Sequence, residues 1–408
     1  MTKLLDLCEL IVDCEHKTAP KSSDGYPSIR TPNVGRGRLI LDGVNRVDED
    51  TYIKWTRRAT PAENDLIIAR EAPVGNVAIV RKGQKVCLGQ RTVLVRPDPN
   101  KVDPEFLCYF LLGDYAQNSF LSAATGATVP HLNMSDIRGL SIPALPDRKK
   151  QRWIATTLAA YDDLIENNTR RIEILEEMAR RLYEEWFVQF RFPGHEGVEF
   201  KESELGLIPE GWKVVALETA VEINPKTKVE RDGEKVFVPM GALSETGMVI
   251  SGWEIKSGNS GAKFQNGDTL VARISPCLEN GKTGFVDFLP ATQPTACGST
   301  EFIVLRSRSL CPEMVYCLSR SDRFREVAMK SMSGATGRQR VRVESLLGYP
   351  IAQPENELVA KYHAFAQPCF KEIRVLANKN ANLRQQRDLL LPKLISGEID
   401  VSDIPMPT

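Results

Sequence analysis

Residues 64–70 read NDLIIAR and residues 267–273 read GDTLVAR, and each run has a proline three places beyond its arginine, Pro73 and Pro276. Each is a short, apolar and partly β-branched run between polar and turn-forming residues, the pattern of a buried strand. The two copies lie about half a chain apart, so the chain reads as an internal duplication. The match extends outward from there. Gly126-Ala127-Thr128 corresponds to Gly334-Ala335-Thr336, and Leu140-Ser141-Ile142-Pro143 to Tyr349-Pro350-Ile351-Ala352. Each half then reaches a helix-start signal, Pro146-Asp147 or Pro354-Glu355.

Four pieces follow: a strand-rich region over 1–145, a helical region over 146–200, a second strand-rich region over 201–352 and a second helical region over 353–408. The expected class is α+β, with two α/β domains in a pseudo-two-fold arrangement. The first helical region carries an apolar stripe of Leu158, Ile165, Ile172, Leu175, Met178 and Leu182, spaced by threes, fours and sevens with Glu and Arg between. The second offers Ile373, Leu376, Leu383, Leu389, Leu390 and Leu394. Two stripes at equivalent places in a repeat are expected to pair as an antiparallel coiled coil. Pro368 is expected to break the second helix, Pro392 to kink it and Gly397 to stop it.

The chain has 408 residues, 42% hydrophobic and 26% charged, with a formal net charge of zero. No apolar run approaches the roughly 18 residues of a membrane span, and the opening residues do not read as a signal peptide, so the cytoplasm is the expected compartment. The nine cysteines form no C-x-x-C pair, and the four histidines are not at ligand spacing, so no metal is expected. His16, in Asp13-Cys14-Glu15-His16, is read as lacking a companion ligand. No Asn-Pro-Pro or Asp-Pro-Pro element and no glycine-rich turn for S-adenosylmethionine is present. Gly281-Lys282-Thr283 resembles the end of a phosphate-binding loop, but Pro276 stands where that loop needs glycine. No catalytic residue is assigned, and binding is the simpler class. Zero net charge argues against a generic polyanion binder while leaving room for a local basic surface.

Several stretches together resemble the specificity subunits of type I restriction-modification systems. YDDLIENNTRRIEILEEMARRLYEEWF (161–187) is similar to that family's central conserved region, ESELGLIPEGW (202–212) to the lead-in of its second recognition domain, and LRQQRDLLLPKLISGEI (383–399) to its distal conserved region. Asp13 to Pro20, with His16 and Thr18, resembles the opening of many first recognition domains. The resemblance implies two target-recognition domains, each reading half of a bipartite double-stranded DNA target across a fixed unread gap. It also implies helices that separate them and dock modification (methyltransferase) subunits, two of them, and restriction (translocase/nuclease) subunits. Methylation with S-adenosylmethionine and cleavage with ATP and Mg2+ would belong to those partners, with no cofactor bound by this chain. The alternatives are a recognition fragment of a methyltransferase or nuclease, and a coiled-coil adaptor that binds only protein.

DNA reading asks for basic and polar loop side chains for phosphate and forked or planar groups for base edges. The loops after the shared Gly-Ala-Thr fit best: Thr128, His131 and Asn133 in the first half, and Thr336, Arg338, Gln339, Arg340 and Arg342 in the second. His131-Leu132-Asn133 is aligned with Gln339-Arg340-Val341, so the two domains are expected to read different half-sites. Arg70 and Arg273 end equivalent strands and either hold phosphate or bind the preceding aspartate. Lys282, Arg36 and Arg38 are further phosphate candidates. Weaker ones are Arg57, Arg58, Arg81, Lys82, Arg320, Arg323 and Arg325, for each of which a solvated surface charge is the simpler reading. A helix over 161–187 spans roughly 40 Å, against about 34–36 Å per turn of B-DNA. Inserting one heptad there is expected to lengthen the unread gap. The segment 146–200 has 9 basic and 11 acidic residues; it is expected to face proteins, and the isolated chain to bind DNA poorly.

Overall fold

A computed structural model describes residues 2–126, 130–334 and 339–405. The chain divides into two compact units, one built from Met1–Glu166 with Ala381–Thr408, the other from Asn167–Asn380. Among the described residues no helix is long and apolar enough to cross a membrane.

The first unit is organised by a five-stranded sheet in the order Cys8–Asp13, Thr92–Pro97, Leu66–Ala69, Val77–Ile79, Gly37–Arg38, antiparallel except for the last pair. Its strands Leu66–Ala69 and Val77–Ile79 are apolar at every position because both faces are covered. Leu66, Ile68, Val93 and Val95 pack on one side with Phe106 and Phe110 of helix Pro104–Leu112 and with Ile154 and Leu158. Ile67, Ala69 and Leu94 pack on the other with Ile29 and Leu88 of a small second sheet and with Val86 next to it. The two-residue alternation of side chains thus feeds two separate cores. Asp103 caps the Pro104–Leu112 helix by accepting from the Phe106 amide at 3.0 Å.

The second unit repeats this plan. Its sheet runs Val221–Ile223, Phe302–Ser307, Thr269–Ala272, Thr283–Phe285. Val271, Ile303 and Leu305 face one core and Leu270, Phe302 and Val304 the other. Helix Pro312–Arg320 stands where Pro104–Leu112 stands in the first unit. The buried Asp65 and Asp268 each take a bidentate arginine, Arg96 at 2.8 and 2.7 Å and Arg306 at 2.7 and 2.7 Å. Burial raises the Asp268 carboxyl above its ordinary range although Arg306 pulls the other way. The hairpin Phe200–Ser203/Gly206–Pro209 leads into this unit, and Trp212 beyond it packs against Phe187, Phe190 and Phe192.

Two long helices, Arg148–Tyr183 and Asn356–Ser396, contribute to both units. Within the second unit they run antiparallel. Asn168 donates to Asn380 at 2.9 Å, Arg171 pairs with Glu372 at 3.2 Å, and Tyr362 donates to the Ala179 carbonyl at 3.0 Å. Within the first, Arg387 pairs with Asp162, and Trp153 donates to the Pro405 carbonyl at 2.9 Å. Leu158, Ile165, Leu376 and Leu394 are buried, and Ile172, Leu175, Leu182 and Leu390 lie partly buried on the cores. Leu383 is intermediate.

Three sequence expectations need correcting. Met178 (45% exposed) and Leu389 (61%) point away from the paired face, and Leu391 takes the core position instead. Pro368 does not break the second helix, which continues through it and through Pro392 to Ser396. A proline inside a helix costs about 3 kcal/mol. Here the fully or nearly buried Tyr362, Ala366, Phe370 and Ile373 flank it and hold the helix on the core, and burial of each large side chain contributes about 1.5–3 kcal/mol.

Candidate nucleic-acid interface

In the first unit, strand Leu66–Ala69 delivers Arg70 to the sheet end. Its Nε donates to the Leu132 carbonyl at 2.8 Å, and one terminal nitrogen reaches both Asp13 oxygens at 3.2 and 2.9 Å. The Leu132 amide returns a bond to the Arg70 carbonyl at 2.9 Å. Thr125 and His131 exchange backbone bonds at 3.0 and 2.9 Å, closing a loop that begins at Gly126, φ +118°. Asn133 then opens helix Met134–Arg138, its amide donating to Asp136 at 2.9 Å. Arg70, His131 and Asn133 are therefore brought together, while Thr128 lies outside the described residues.

The second unit builds the counterpart. The Arg273 carbonyl accepts from the Val341 amide at 2.8 Å, and its guanidinium reaches the Val341 carbonyl at 3.4 Å. Strand pairing sets Ser333 opposite Arg340, and Gly334 turns with φ +124°. These bonds correct the sequence alignment: His131-Leu132-Asn133 corresponds to Arg340-Val341-Arg342, because the stretch 335–339 is one residue longer than 127–130. Arg340 is bound to Glu301 at 3.0, 2.9 and 2.6 Å. The exposed Arg342 donates to the Ser333 hydroxyl at 3.2 Å, and the Gln339 amide to the Ser275 hydroxyl at 3.2 Å. Thr336 and Arg338 lie outside the described residues. Lys282 sits on the turn before strand Thr283–Phe285, where its carbonyl accepts from Ala272, the neighbour of Arg273, at 3.0 Å.

Other basic candidates are committed elsewhere. Neither Arg70 nor Arg273 binds the aspartate that precedes it, since Asp65 and Asp268 belong to Arg96 and Arg306. Arg38, only 14% exposed, meets Asp163 at 2.7 Å and Glu105 at 3.5 Å, so it fastens the long helix to the first unit's sheet instead of facing solvent. Arg81 joins the same pair at 2.9 Å to Glu105 and 2.7 Å to Asp163. Burial works against ionising Asp163, yet Arg38 and Arg81 hold its carboxyl below the usual range. Arg36 donates to the Leu112 carbonyl at 3.2 Å. Arg320 caps the carbonyls of Gly281, Glu245 and Thr246 at 2.9, 3.2 and 2.7 Å. Arg58 donates to the Asp13 and Cys14 carbonyls, Arg57 lies 3.5 Å from Glu15, and Arg325 pairs with Asp322.

His16 does have a companion, with its Nε2 3.2 Å from Asp13. Asp13, Cys14 and His16, and likewise Cys311, Glu313 and His363, bring possible ligand atoms within 4.8 Å of one another. In both groups the carboxylate is already engaged, by Arg70 or by His363 at 2.8 Å, and burial raises the thiol pKa. A cation would have to displace a thiol proton in either group, and Arg70 as well in the first. Sequence reading missed Asp13 as the partner of Arg70 because 57 residues separate them; only the sheet register brings them together.

Residues 1–177 match the family model described as type I restriction modification DNA specificity domain. The chain is 27% identical over 378 residues to the specificity subunit of the type I restriction enzyme MjaIX of Methanocaldococcus jannaschii, covering 90% of this chain and 84% of that one. It is 24% identical over 370 residues to the HindI specificity subunit of Haemophilus influenzae, covering 75% and 80% respectively. The crystal structure of a type I restriction-modification S subunit from M. genitalium superposes with a TM-score of 0.57 at 16% identity, covering 96% of this chain and 95% of that one. At that identity the likeness speaks to the fold alone.

Proposed function

We propose that the chain is a specificity subunit of a type I restriction-modification system, selecting the DNA target for partner subunits that methylate and cleave. The observation that carries this reading is the duplicated hairpin beside Arg70 and Arg273, where one backbone plan presents His131 and Asn133 in one unit and Arg340 and Arg342 in the other. A shared frame with different side chains suits two readers of different half-sites. Arginine forks onto guanine and asparagine or glutamine onto adenine, each such pair discriminating by about 1–3 kcal/mol.

In this reading the recognition domains comprise 1–145 and 201–352. Thr128, His131 and Asn133 face one half-site, and Thr336, Arg338, Gln339, Arg340 and Arg342 the other, across a fixed unread gap. Lys282 serves phosphate. Arg70 and Arg38 position the fold and do not touch DNA. The chain itself makes and breaks no bonds. Two modification subunits and the restriction subunits dock on the helical regions, in the cytoplasm, and supply the S-adenosylmethionine, ATP and Mg2+ chemistry. A chain of zero net charge gains few phosphate contacts alone, so tight binding needs those partners.

The test replaces residues 211–352 with the corresponding segment of a different specificity subunit and maps methylated sites by long-read sequencing. One half of the motif should change and the other stay. A motif unchanged in both halves would leave only a protein adaptor.

A further inference from the structure

Arg70 and Arg273 occupy the same place in their units, but only one is neutralised. In the first unit strand Cys8–Asp13 pairs with Thr92–Pro97, setting Leu10 opposite Arg96 and Asp13 opposite Val93. In the second, Glu222 lies opposite Arg306, the counterpart of Arg96, and Ile223 opposite Leu305. Counting on, the place of Asp13 falls to Pro225, just after Asn224 leaves the strand with φ +52°. Proline carries no charge, so the carboxylate that holds Arg70 has no equivalent beside Arg273.

The consequence is visible at the guanidinium. The Arg273 Nε is buried and has no hydrogen-bond partner among the described residues. A buried charged donor without an acceptor costs more than an ordinary lost hydrogen bond. Beside it opens a shallow cleft of about 580 Å³, lined by Asn224, Lys226, Lys263, Arg273, Thr300 and Phe302 among others, and by no carboxylate. Glu301 also feels the charge of Arg273, but its carboxylate is already held by Arg340. Three cations thus surround one concavity beside the hairpin that carries Gln339 to Arg342.

We propose that this cleft binds a phosphodiester of the DNA backbone, fixing the second recognition domain on its half-site through Arg273, Lys226 and Lys263. The proposal rests on the DNA-reading function above and adds where the backbone is held. It also assigns the two domains unequal roles, with a backbone anchor in the second that the first lacks at this position. A phosphate there would accept from the orphaned Nε and from both lysines, and Thr300 would offer its hydroxyl.

The test uses the complex with its modification subunits and measures duplex affinity between 50 and 200 mM salt. Each phosphate neutralised contributes about 0.9 to the slope of log Kobs against log salt. Lys226→Gln with Lys263→Gln should make the slope shallower by about one and weaken all sequences alike, leaving the methylated motif unchanged. Pro225→Asp, which restores the acid found in the first unit, should do the same. Lys228→Gln, on a side chain 89% exposed and outside the cleft, should leave the slope as it is. A wild-type complex that binds no duplex would sink the DNA-reading function itself. Wild-type binding with an unchanged slope in both the Pro225→Asp and the double lysine variants would overturn the cleft alone. If inorganic phosphate raises the melting temperature of wild type but not of the lysine variant, and all slopes agree, the cleft holds free phosphate and the DNA assignment is overturned.

Discussion

Replacing Arg70 by methionine separates a positioning role from a phosphate contact. The side chain makes two contacts to Asp13, at 3.2 and 2.9 Å, and one to the Leu132 carbonyl at 2.8 Å. Removing one partner of a buried pair costs about 3–5 kcal/mol, chiefly because the other charge is left uncompensated. Both side chains here are 16% exposed, and Asp13 keeps the Cys14 amide at 2.9 Å, so the expected loss sits lower, about 2–3 kcal/mol. Urea unfolding followed by tryptophan fluorescence measures it, since Trp55 and Trp153 lie in this unit. Because Arg70 also fixes the carbonyl between His131 and Asn133, the methylated motif should become degenerate in one half only. The salt slope of DNA binding should not change. A slope shallower by about one, with stability intact, would show that Arg70 binds phosphate and would refute the argument from its ion pair.

Two further outcomes test the packing. Leu394→Ala, at a position 3% exposed in the first unit's core, should cost about 2–5 kcal/mol, whereas Leu389→Ala on the same helix should change stability by less than about 0.5 kcal/mol; equal losses in urea melts would contradict the helix orientation. Glu176 accepts from Tyr316 at 2.5 Å and from the Met248 amide at 3.0 Å, yet burial raises its carboxyl above the ordinary 4.5. Its stabilising contribution is therefore fully present below the unfolded value and lost as pH climbs through the raised folded value. Glu176→Gln lacks that loss, so the stability of wild type relative to the variant should fall as pH rises above the ordinary 4.5, and a flat or rising difference would contradict this.

Local patterns carried the sheet strands and the helix starts. The run LIIA at 66–69 is apolar at every position because it feeds two cores, and the arginine after it marks the strand end in both halves. What sequence could not supply were partners set by register. Asp13 reaches Arg70 only because strand Cys8–Asp13 lies beside Thr92–Pro97, which in turn lies beside Leu66–Ala69. Its counterpart is a proline, a difference no local motif announces. The one-residue slip between His131 and Arg340 arose the same way, from aligning Gly-Ala-Thr and counting forward across loops of unequal length. Pro368 misled for a different reason: a local backbone penalty was outweighed by tertiary packing that a single helix's sequence does not display.

The first unit closes only with the segment 381–408, whose Leu391, Leu394 and Val401 fill the core that holds Leu158 and Phe106. The second unit, by contrast, is one continuous stretch of chain. During translation the second unit can therefore mature before the first, whose residues 1–166 must wait for the stretch from Ala381 onward. A chain ending before Ala381 would keep its second unit whole and leave the apolar floor of its first laid open, a natural substrate for proteolytic quality control.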